Sequence, residues 1–477
     1  MQKCFLGLDV GTQGARLVLV NQHGNLIASE AKNFILDDRF REEQSPEIWW
    51  ETSKYLLEEL LKNLPDNFNR KSIHAISVTS TSGTVIPLDK NNLPLHPAIM
   101  YSNPRSANQG LRCKNIAEQF VFNGYTGFNA SSGISKMLWF QEEYPEKAKD
   151  IALWIHASDY LIGKLSGKYD ITDYTNVLKS GYDLNNLCWP KYIDNELGIL
   201  MDTLQEVVPS GTAIGVLTQE LANLLGIPQI IVVVGMTDGC ATQMASGAVN
   251  PGDWNTTIGT TLVIKGVTNK NIIDPLGRLY SHRHPEGYWM PGGASNTGAD
   301  WISLDFKCDL NEINQKAEKY IPTGKLSWPL KQKGERYPIM SPQAIGFYAE
   351  NISKEELFAS NLEGVAFIER LAYENIEELS SEKIKAVYSA GGGSNSDLWM
   401  RIRASVLNVP IFKCKEASGA FGAAIMAASK TYYKSLMEAA GQMTQIEKRI
   451  DPEPTLQRSY ELQYKRFIQK LKELKYL

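Results

Sequence analysis

Two stretches far apart in the chain share one pattern of residue types. LGLDVGTQGARLVLV at 6–20 and TTIGTTLVIKG at 256–266 each predict a strand, a tight Gly/Thr turn and a second strand. Glycines in such turns let backbone N–H groups approach phosphate oxygens, and threonine hydroxyls add donors. Asp9, where the first strand enters its turn, can hold Mg²⁺ directly or through water. The pattern predicts two hairpins that grip the phosphates of a nucleotide, and hence an ATP-using enzyme.

The first hairpin has a simpler interpretation as well. Asp-Val-Gly-Thr at 9–12 also fits a plain β-hairpin turn without a ligand. The chain offers no Walker A loop, because none of its Gly-Lys pairs, at 163–164, 167–168 and 324–325, has a glycine five residues earlier. A nucleotide site in this chain would therefore be of the hairpin type.

A second carboxylate follows a buried strand. The β-branched run IIVVVGM at 230–236 predicts that strand, and Asp238 in GMTDGC follows it and opens a helix of small residues. The carboxyl ends of strands in α/β folds face the ligand cleft. Asp238 could instead cap the helix, but a capping carboxylate still has a free oxygen, so the two roles are compatible.

Two polar or glycine-rich loops complete the set. GGGSN at 391–395 lies between a strand and a helix and permits close approach to a base or ribose, although a simple left-handed turn fits too. SGAFGAAI at 418–425 could form another wall of that pocket or a tight helix contact. TSTSGT at 79–84 carries hydroxyls that suit a polyol, or a polar turn.

Composition limits the functional classes. A chain of 477 residues suggests two or three domains. Its 49 basic and 53 acidic residues give a net charge of −4, which argues against a nucleic-acid partner. The longest apolar run is far shorter than the ~18 residues of a membrane span, and the first residues lack a secretory pattern. Six scattered cysteines predict reduced thiols and a cytoplasmic location, and the pair His282 and His284 lacks further zinc ligands.

The elements that must position these residues repeat along the chain. We expect strands and helices in the order three strands within 3–34, a helix from Pro46 capped by Ser45, a strand at 73–79, helices over 105–165, loops over 172–200, the hairpin at 253–266, a helix at 362–379, a strand at 384–390, helices after 395 and at 418–429, and a polar helical tail from 431. Hairpin, helices and strand thus occur twice. This order predicts two similar lobes that divide near residue 250.

In this order the motifs resemble the FGGY family of carbohydrate kinases over about residues 3–430. The resemblance rests on GLDVGTQG, AISVTSTSGTVIPLD, PAIMYSNPRS, SKMLWFQEEYP, GMTDGCATQMASGAV, TTIGTT, GERYPIMSP, LEGVAFIERLAYE and AGGGSNSDLWMRIRASVLNVPI. It implies an α/β, two-lobed, duplicated sugar kinase/actin-like (ribonuclease H-like) fold with a cleft between the lobes. The implied domains are 1–249, 250–430 and a helical tail at 431–477 packed on the second lobe. Glu350, where a glycine is usual, and Gly133 depart from the family pattern.

The resemblance also implies roles for individual residues. Asp238 resembles the general base, and Asp9 the carboxylate that organises Mg²⁺ and helps to bind the sugar. The residues implied for ATP are Gly11, Thr12 and Gln13 at the γ-phosphate, Gly259 and Thr260 at the second phosphate turn, and Gly392, Gly393 and Asn395 at the adenosine.

The implied substrate follows from the loop after the AISV strand. Xylulokinases of the family carry Met-His where this chain has Ser82 and Gly83, whereas TSGT looks like the D-ribulose kinases. Ser82 and Gly83, with the two aspartates, would then bind a ketopentose, and transfer to its 5-hydroxyl would give ribulose 5-phosphate. Arg105 and Lys136 could add sugar contacts or form surface salt bridges.

Alternative functions remain open at this stage. They are a xylulose or other polyol kinase, a different ATPase on the same frame, and a sugar-binding regulator without catalysis. The expected partners are a small sugar and ATP with Mg²⁺, and not nucleic acid or a membrane. The expected assembly is a monomer or a homodimer.

Overall fold

The computed structural model describes residues 2–477 and divides into two compact lobes. The first lobe comprises the described residues up to Ala245 together with His282–Gly287 and Glu416–Thr444. The second lobe comprises Ser246–Ser281, Tyr288–Lys415 and Gln445–Leu477. Each lobe is built on a mixed β-sheet with helices packed against it.

The strands, in chain order, are β1 (Cys4–Val10), β2 (Gly14–Asn21), β3 (Leu26–Asn33), β4 (Glu43–Gln44), β5 (Ile73–Ser80), β6 (Val85–Leu88), β7 (Ala98–Ile99), β8 (Leu153–His156), β9 (Ile171–Asp173), β10 (Glu206–Val208), β11 (Ala213–Val216), β12 (Ile231–Val233), β13 (Asp253–Ile258), β14 (Leu262–Gly266), β15 (Tyr280–Arg283), β16 (Trp289–Ser295), β17 (Ala386–Ala390), β18 (Ile411–Cys414) and β19 (Ile446–Ile450).

The helices are α1 (Pro46–Lys62), α2 (Ala107–Phe120), α3 (Gly133–Glu143), α4 (Pro145–Ala148), α5 (Ala157–Ser166), α6 (Tyr174–Val177), α7 (Tyr192–Asn195), α8 (Gln219–Leu225), α9 (Asp238–Ala245), α10 (Asp300–Asp305), α11 (Leu310–Glu318), α12 (Lys354–Ser380), α13 (Asp397–Leu407), α14 (Gly419–Ala428), α15 (Leu436–Met443) and α16 (Pro454–Glu473).

The main sheet of the first lobe has the order β11-β12-β5-β1-β2-β3. β1, β5 and β12 are parallel neighbours, and β2 and β3 extend the sheet as antiparallel hairpins. β1 and β5 are almost entirely buried, as expected for strands covered on both faces. Their carboxyl ends lie at one edge of the sheet, and this edge holds the polar residues predicted from the sequence.

The second lobe repeats this topology. Its sheet contains the order β16-β14-β13-β17-β18-β19, with β13 antiparallel to β14 and parallel to β17, and β18 antiparallel to β19. β13 and β14 correspond to β1 and β2, and β17 to β5. The predicted duplication of an α/β hairpin-and-crossover unit is therefore confirmed.

Residues 416–444 belong to the first lobe. The sequence pattern predicts residues 416–430 in the second lobe and residues 431–444 in the helical tail. The reason for the difference is close packing of α14 on β1 and α9. A Cβ on Gly7 would lie 1.9 Å from the carbonyl oxygen of Ala420, and one on Gly422 would lie 2.1 Å from that of Ala241. Glycines at these two positions let backbones meet that side chains would hold apart.

Some local expectations differ from the structure. The run at 230–236 is a strand only over Ile231–Val233, and the tail contains the edge strand β19. Ser45 occupies the N-cap position of α1, but its side chain makes no capping hydrogen bond. All six cysteines are free thiols. Across residues 2–477, no helix is long and apolar enough to span a membrane, and no cluster of three metal-ligating side chains is found.

Candidate active site

Asp9 is the next-to-last residue of β1 and lies between two neighbouring strands. In the register of the sheet, Asp9 pairs with Arg16 of β2 across the hairpin and with Thr79 of β5 on the other side. The carboxylate oxygen Oδ1 of Asp9 is buried and finds no hydrogen-bond partner among the described residues. A buried acceptor without a donor or cation is costly, so this oxygen marks a place where a ligand group fits.

The pKa of Asp9 reflects this setting. Burial first and the negative charge of Asp238 second raise the pKa of the Asp9 carboxyl to about 7, although the Arg16 guanidinium acts to lower it. A like charge raises the pKa of a carboxyl only when it lies nearby. The structure therefore brings together the two carboxylates that the sequence predicted from separate motifs.

Asp238 begins α9 and is separated from the end of β12 by the four residues 234–237. Its Oδ1 accepts a hydrogen bond of 2.6 Å from the N–H of Gly239. The preceding Thr237 pairs as an isolated parallel bridge with Ser80, and its N–H donates to the hydroxyl of Thr175. These backbone ties fix the start of α9 beside the end of β5.

The hydroxyl-rich loop after β5 divides into two sets. Thr79 donates to the carbonyl oxygen of Met236 at 2.6 Å, and Thr81 and Thr84 share a 3.0 Å hydrogen bond. In contrast, the buried hydroxyls of Ser80 and Ser82 have no partner in the described part of the chain. The threonines shape the loop, and two serine hydroxyls remain for a ligand.

Gly83 completes the turn of this loop. It has a φ of +83°, and a Cβ at this position would lie 2.3 Å from the carbonyl oxygen of Ser131. Only glycine fits here, so Gly83 shapes the loop through its backbone. Glycine has no side chain, so any contact of this residue with a sugar would come from its backbone.

A pocket of about 560 Å³ opens at the hairpin between β1 and β2. Its walls are formed by the hairpin, by β3 and by two loops, and the lining residues are Asp9, Gly11–Arg16, Ala31, Asn33, Phe40, Arg41, Tyr101 and Ser102. Of the site residues predicted in this lobe, Asp9, Gly11, Thr12 and Gln13 line it. Ser82, Gly83 and Asp238 lie outside its lining.

Gly419 leaves room for the Asp9 carboxylate at the start of α14. A Cβ on Gly419 would lie 2.5 Å from Oδ2 and 2.8 Å from Cγ of Asp9. With any other residue at this position, the Asp9 carboxylate or the start of α14 would have to shift. This contact gives the small-residue motif at 418–425 a role in the first lobe rather than beside the GGGSN loop.

We expect Gly419→Ala to lower kcat/KM by ~10²-fold, the scale of a misplaced reacting group, because the added methyl pushes the Asp9 carboxylate aside. Gly441→Ala is the matched control, since Gly441 lies inside α15 with nothing within 4 Å of an added Cβ. The control should keep its activity and gain about 0.5–1 kcal/mol in unfolding free energy. Steady-state kinetics and denaturant unfolding measure both. Unchanged activity in Gly419→Ala would contradict the expectation.

In the second lobe, the hairpin between β13 and β14 turns at Gly259 and Thr260. The N–H of Gly259 donates to the carbonyl oxygen of Thr261 at 3.0 Å, and the N–H of Ala299 donates to that of Gly259 at 2.8 Å. A Cβ on Gly298 would lie 2.3 Å from the carbonyl oxygen of Thr260. The turn is thus held by backbone contacts with the segment that leads into α10.

The GGGSN loop packs against the same hairpin. Gly391 has a φ of +78°, and a Cβ on it would lie 2.5 Å from the carbonyl oxygen of Ile258, the last residue of β13. A Cβ on Gly393 would lie 2.8 Å from the Ile258 side chain and 3.1 Å from the Trp399 ring, whereas a Cβ on Gly392 would meet no atom within 4 Å. Gly391 combines its positive φ with a ψ of −177°, so it does not adopt the left-handed helical conformation, and the simpler interpretation of this loop is wrong. Gly392 gives the loop an open face.

That open face belongs to a pocket of about 980 Å³ in the second lobe. The pocket is formed by α10, α11, α12, the GGGSN loop and α13. Its lining includes Gly392, Gly393 and Asn395, with apolar side chains from Ile302, Phe306, Phe358, Leu362, Leu398 and Trp399. Apolar and aromatic walls with a few polar groups are typical of a site for a flat, partly polar ligand.

Arg105 and Lys136 are both occupied by the protein. The Arg105 guanidinium pairs with Glu43, donates to Asn103 Oδ1 at 3.1 Å and lies over the ring of Trp139. Its salt-bridge interpretation is therefore confirmed. Lys136 is fully buried and donates to the carbonyl oxygen of Ala130, and burial lowers its pKa to about 7.

Sequence reasoning missed three polar groups at this edge of the first lobe. Arg16 lines the pocket opposite Asp9, and the alternation of β2 could have indicated it. Ser80 lay inside the hydroxyl run without being singled out. Gln44 contacts the hairpin through backbone carbonyls, and these partners leave no trace in the sequence.

Two family models match the chain, one on each side of residue 250. Residues 4–245 match the family model described as "FGGY family of carbohydrate kinases, N-terminal domain", and residues 254–431 match the corresponding C-terminal domain. Together these matches span most of the chain and include every site residue predicted above.

The individual relatives described below share 28% or less of their aligned residues with this chain. A gluconokinase of Bacillus licheniformis is 28% identical over 434 residues, which cover 85% of this chain and 83% of that protein. A xylulose kinase of Bacillus subtilis is 27% identical over 468 residues, covering 92% and 91%. The crystal structure of a xylulose kinase from Rhodospirillum rubrum superposes with a TM-score of 0.86 at 22% identity, covering 99% of each chain.

Proposed function

Since the chain belongs to the FGGY family of carbohydrate kinases and is thus an ATP-dependent sugar phosphotransferase, we propose that its acceptor is a ketopentose, D-ribulose first among them. The γ-phosphate of ATP goes to the terminal 5-hydroxyl, and the products are D-ribulose 5-phosphate and ADP. The observation that carries this proposal is the group of buried oxygens without partners at the ends of β1 and β5, namely Asp9 Oδ1, Ser80 Oγ and Ser82 Oγ.

Asp238 is the proposed general base. Phosphoryl transfer needs an acceptor hydroxyl held in line with the γ-phosphate and a group that takes the hydroxyl proton. Asp238 sits at the start of α9 with its Oδ1 held by the N–H of Gly239, so one hydrogen bond orients the carboxylate.

Asp9 is the residue proposed to hold Mg²⁺. Its buried Oδ1 without a partner in the described chain fits a hard cation, since Mg²⁺ prefers carboxylate oxygens. Bound Mg²⁺ would neutralise charge on the phosphate oxygens of ATP. Arg16, opposite Asp9 and in the same pocket, supplies a guanidinium that suits phosphate oxygens.

The acceptor proposal rests on unpaired hydroxyls rather than on charge. Ser80 and Ser82 each present a buried oxygen that can both donate and accept, and a polyol offers complementary hydroxyls. Binding such a ligand would satisfy groups that are costly to leave unpaired. Gly83 contributes through the backbone geometry of the loop.

The nucleotide is assigned to hairpins and pockets lobe by lobe. In the first lobe we assign phosphate oxygens to the turn of Gly11, Thr12 and Gln13. In the second lobe we assign phosphate oxygens to Gly259 and Thr260, and the adenosine to the pocket lined by Gly392, Gly393 and Asn395. The apolar walls of that pocket support the adenosine assignment.

Xylulose and gluconate are the second candidate acceptors. Relatives named xylulose kinase and gluconokinase are 27% and 28% identical to this chain, and that level leaves the acceptor open. Ser82 and Gly83, in place of Met-His, favour D-ribulose over D-xylulose.

A panel of acceptors with coupled ADP detection tests the proposal. D-ribulose, D-xylulose, L-xylulose, gluconate and glycerol are each offered with ATP and Mg²⁺, and kcat/KM is compared. We expect the highest value for D-ribulose. A higher value for another acceptor would reassign the substrate. ADP formation independent of any sugar would indicate a plain ATPase, and sugar-dependent thermal shifts without ADP would indicate a non-catalytic binder.

A further inference from the structure

Gln44 makes three hydrogen bonds with its side-chain amide beside the phosphate hairpin. Its Nε2 donates to the carbonyl oxygens of Thr12 at 2.8 Å and Phe40 at 2.9 Å, and its Oε1 accepts from the indole N–H of Trp49 at 2.7 Å. Both carbonyls can only accept and the indole can only donate, so the chemistry of the partners fixes the orientation of the amide. Gln44 is 6% exposed, which excludes competition from bulk water.

The bond to Thr12 fixes the turn of the hairpin. A peptide group is planar and trans, so the carbonyl of Thr12 and the N–H of Gln13 point in opposite directions. Holding that carbonyl on Gln44 therefore directs the N–H of Gln13 away from Gln44. The next carbonyl, of Gln13, accepts from the N–H of Phe34 at 2.9 Å. Two successive peptide groups of the turn are thus held from outside, and Thr12 and Gln13 line the pocket.

The segment that carries Gln44 is itself braced on its other side. The carbonyl oxygen of Glu42 accepts from the N–H of Met100 at 2.9 Å and from Nδ2 of Asn103 at 3.1 Å. The hydroxyl of Ser102 donates to the carbonyl oxygen of Arg41. Gln44 therefore joins the hairpin turn to a rigid support rather than to a loose loop.

We propose that Gln44 is a positioning residue for phosphoryl transfer, which holds the Thr12–Gln13 peptide in the orientation that receives the γ-phosphate of ATP. The proposal rests on the proposed function, because it takes the first hairpin as the γ-phosphate site. Gln44 acts through the backbone of Thr12 and does not itself touch the substrate.

The test replaces Gln44 with methionine, which keeps the volume and removes all three hydrogen bonds. Gln205→Met is the matched control, since Gln205 is 3% exposed in the same lobe and its Nε2 also donates to two backbone carbonyls, those of Tyr169 and Ile171. Both variants should lose similar thermal stability. Only Gln44→Met should lower kcat/KM for ATP, by ~10- to 10²-fold as for a displaced phosphate cradle, with the acceptor KM unchanged.

A second variant and a binding measurement keep the proposal testable if Gln44→Met unfolds or if no acceptor is turned over. Gln44→Glu keeps the shape and the acceptor for Trp49 but lacks both N–H donors, and it should show the same selective loss. Calorimetric titration with the Mg²⁺ complex of a β,γ-imido ATP analogue, without acceptor, should show weaker binding in the Gln44 variants than in Gln205→Met. Equal affinity and equal ATP kinetics would overturn the role of Gln44. Absence of turnover in the unsubstituted protein, with the binding difference intact, would overturn only the acceptor assignment.

Discussion

Replacing Asp238 with asparagine is expected to lower kcat by ~10²–10⁴-fold, the usual span for a general acid–base group. Asparagine keeps the shape of the side chain and can still accept from the N–H of Gly239 through its amide oxygen. The start of α9 should therefore survive, while the variant loses the negative charge of Asp238 and its capacity to take a proton. The expected signature is a large fall in kcat with little change in the KM of the acceptor. Steady-state kinetics with D-ribulose and ATP measure both quantities.

Asp309→Asn is the control for the competing interpretation of a helix-capping carboxylate. Asp309 is the N-cap of α11 in the second lobe, and its side chain accepts from the N–H of Glu312 at 2.9 Å. Asparagine caps a helix about as well as aspartate, so this substitution removes only the charge of a capping carboxylate and should leave kcat unchanged. Near-normal turnover in Asp238→Asn would remove Asp238 from the role of general base.

Replacing Asp9 with asparagine is the second large expected effect, a fall of ~10²-fold or more in kcat/KM for ATP. The reason is that organising a metal at the transferring group supplies several kcal/mol of transition-state stabilisation. The affinity for the acceptor alone, measured by calorimetry without nucleotide, should change less. Raising the Mg²⁺ concentration should recover part of the activity if the loss is one of metal affinity. An Asp9→Asn enzyme with unchanged ATP kinetics at low Mg²⁺ would contradict this role.

Asp9→Asn should lower the activity but raise the free energy of unfolding. The pKa of Asp9 is raised from its usual 3.8 to about 7 in the folded state, so the folded protein holds this proton more tightly than the unfolded chain does. The stabilisation from that protonated carboxyl is complete below about pH 4 and is lost as the pH rises through 7. Asp9→Asn cannot ionise, so relative to the unsubstituted protein it should gain up to ~4 kcal/mol between pH 4 and pH 8. Urea unfolding at both pH values measures this difference.

The sequence predicted the elements that carry strong local signals. Gly and Thr punctuate both hairpins, Pro46 begins α1, and the β-branched runs form strands, because these residues restrict the backbone by themselves. The two carboxylates were also found in this way. Asp9 stands near the end of β1 and Asp238 begins the helix that follows β12, and parallel strands bring their carboxyl ends to one edge of a sheet.

The remaining features depend on tertiary contacts that local patterns do not encode. α14 belongs to the first lobe because the backbones of Gly7 and Ala420 are in close contact. No local sequence pattern around either residue indicates this contact. β19 has the sequence IEKRI, which resembles a polar helix and becomes a strand only by pairing with β18. The sequence gives no indication of the role of Gln44, because its partners at Thr12 and Phe40 are backbone carbonyl groups, which every residue carries.

Whether Asp9 and Asp238 share one site is tested most directly by titrating the Asp9 carboxyl. The titration is followed by ¹³C NMR in protein labelled at the aspartate carboxyl carbons. The resonance is identified by its loss in Asp9→Asn. We expect a midpoint near pH 7 in the unsubstituted protein and a lower midpoint in Asp238→Asn, because the neighbouring charge is gone. A midpoint near 4, or one that Asp238→Asn leaves unchanged, would mean that the two carboxylates do not share a site.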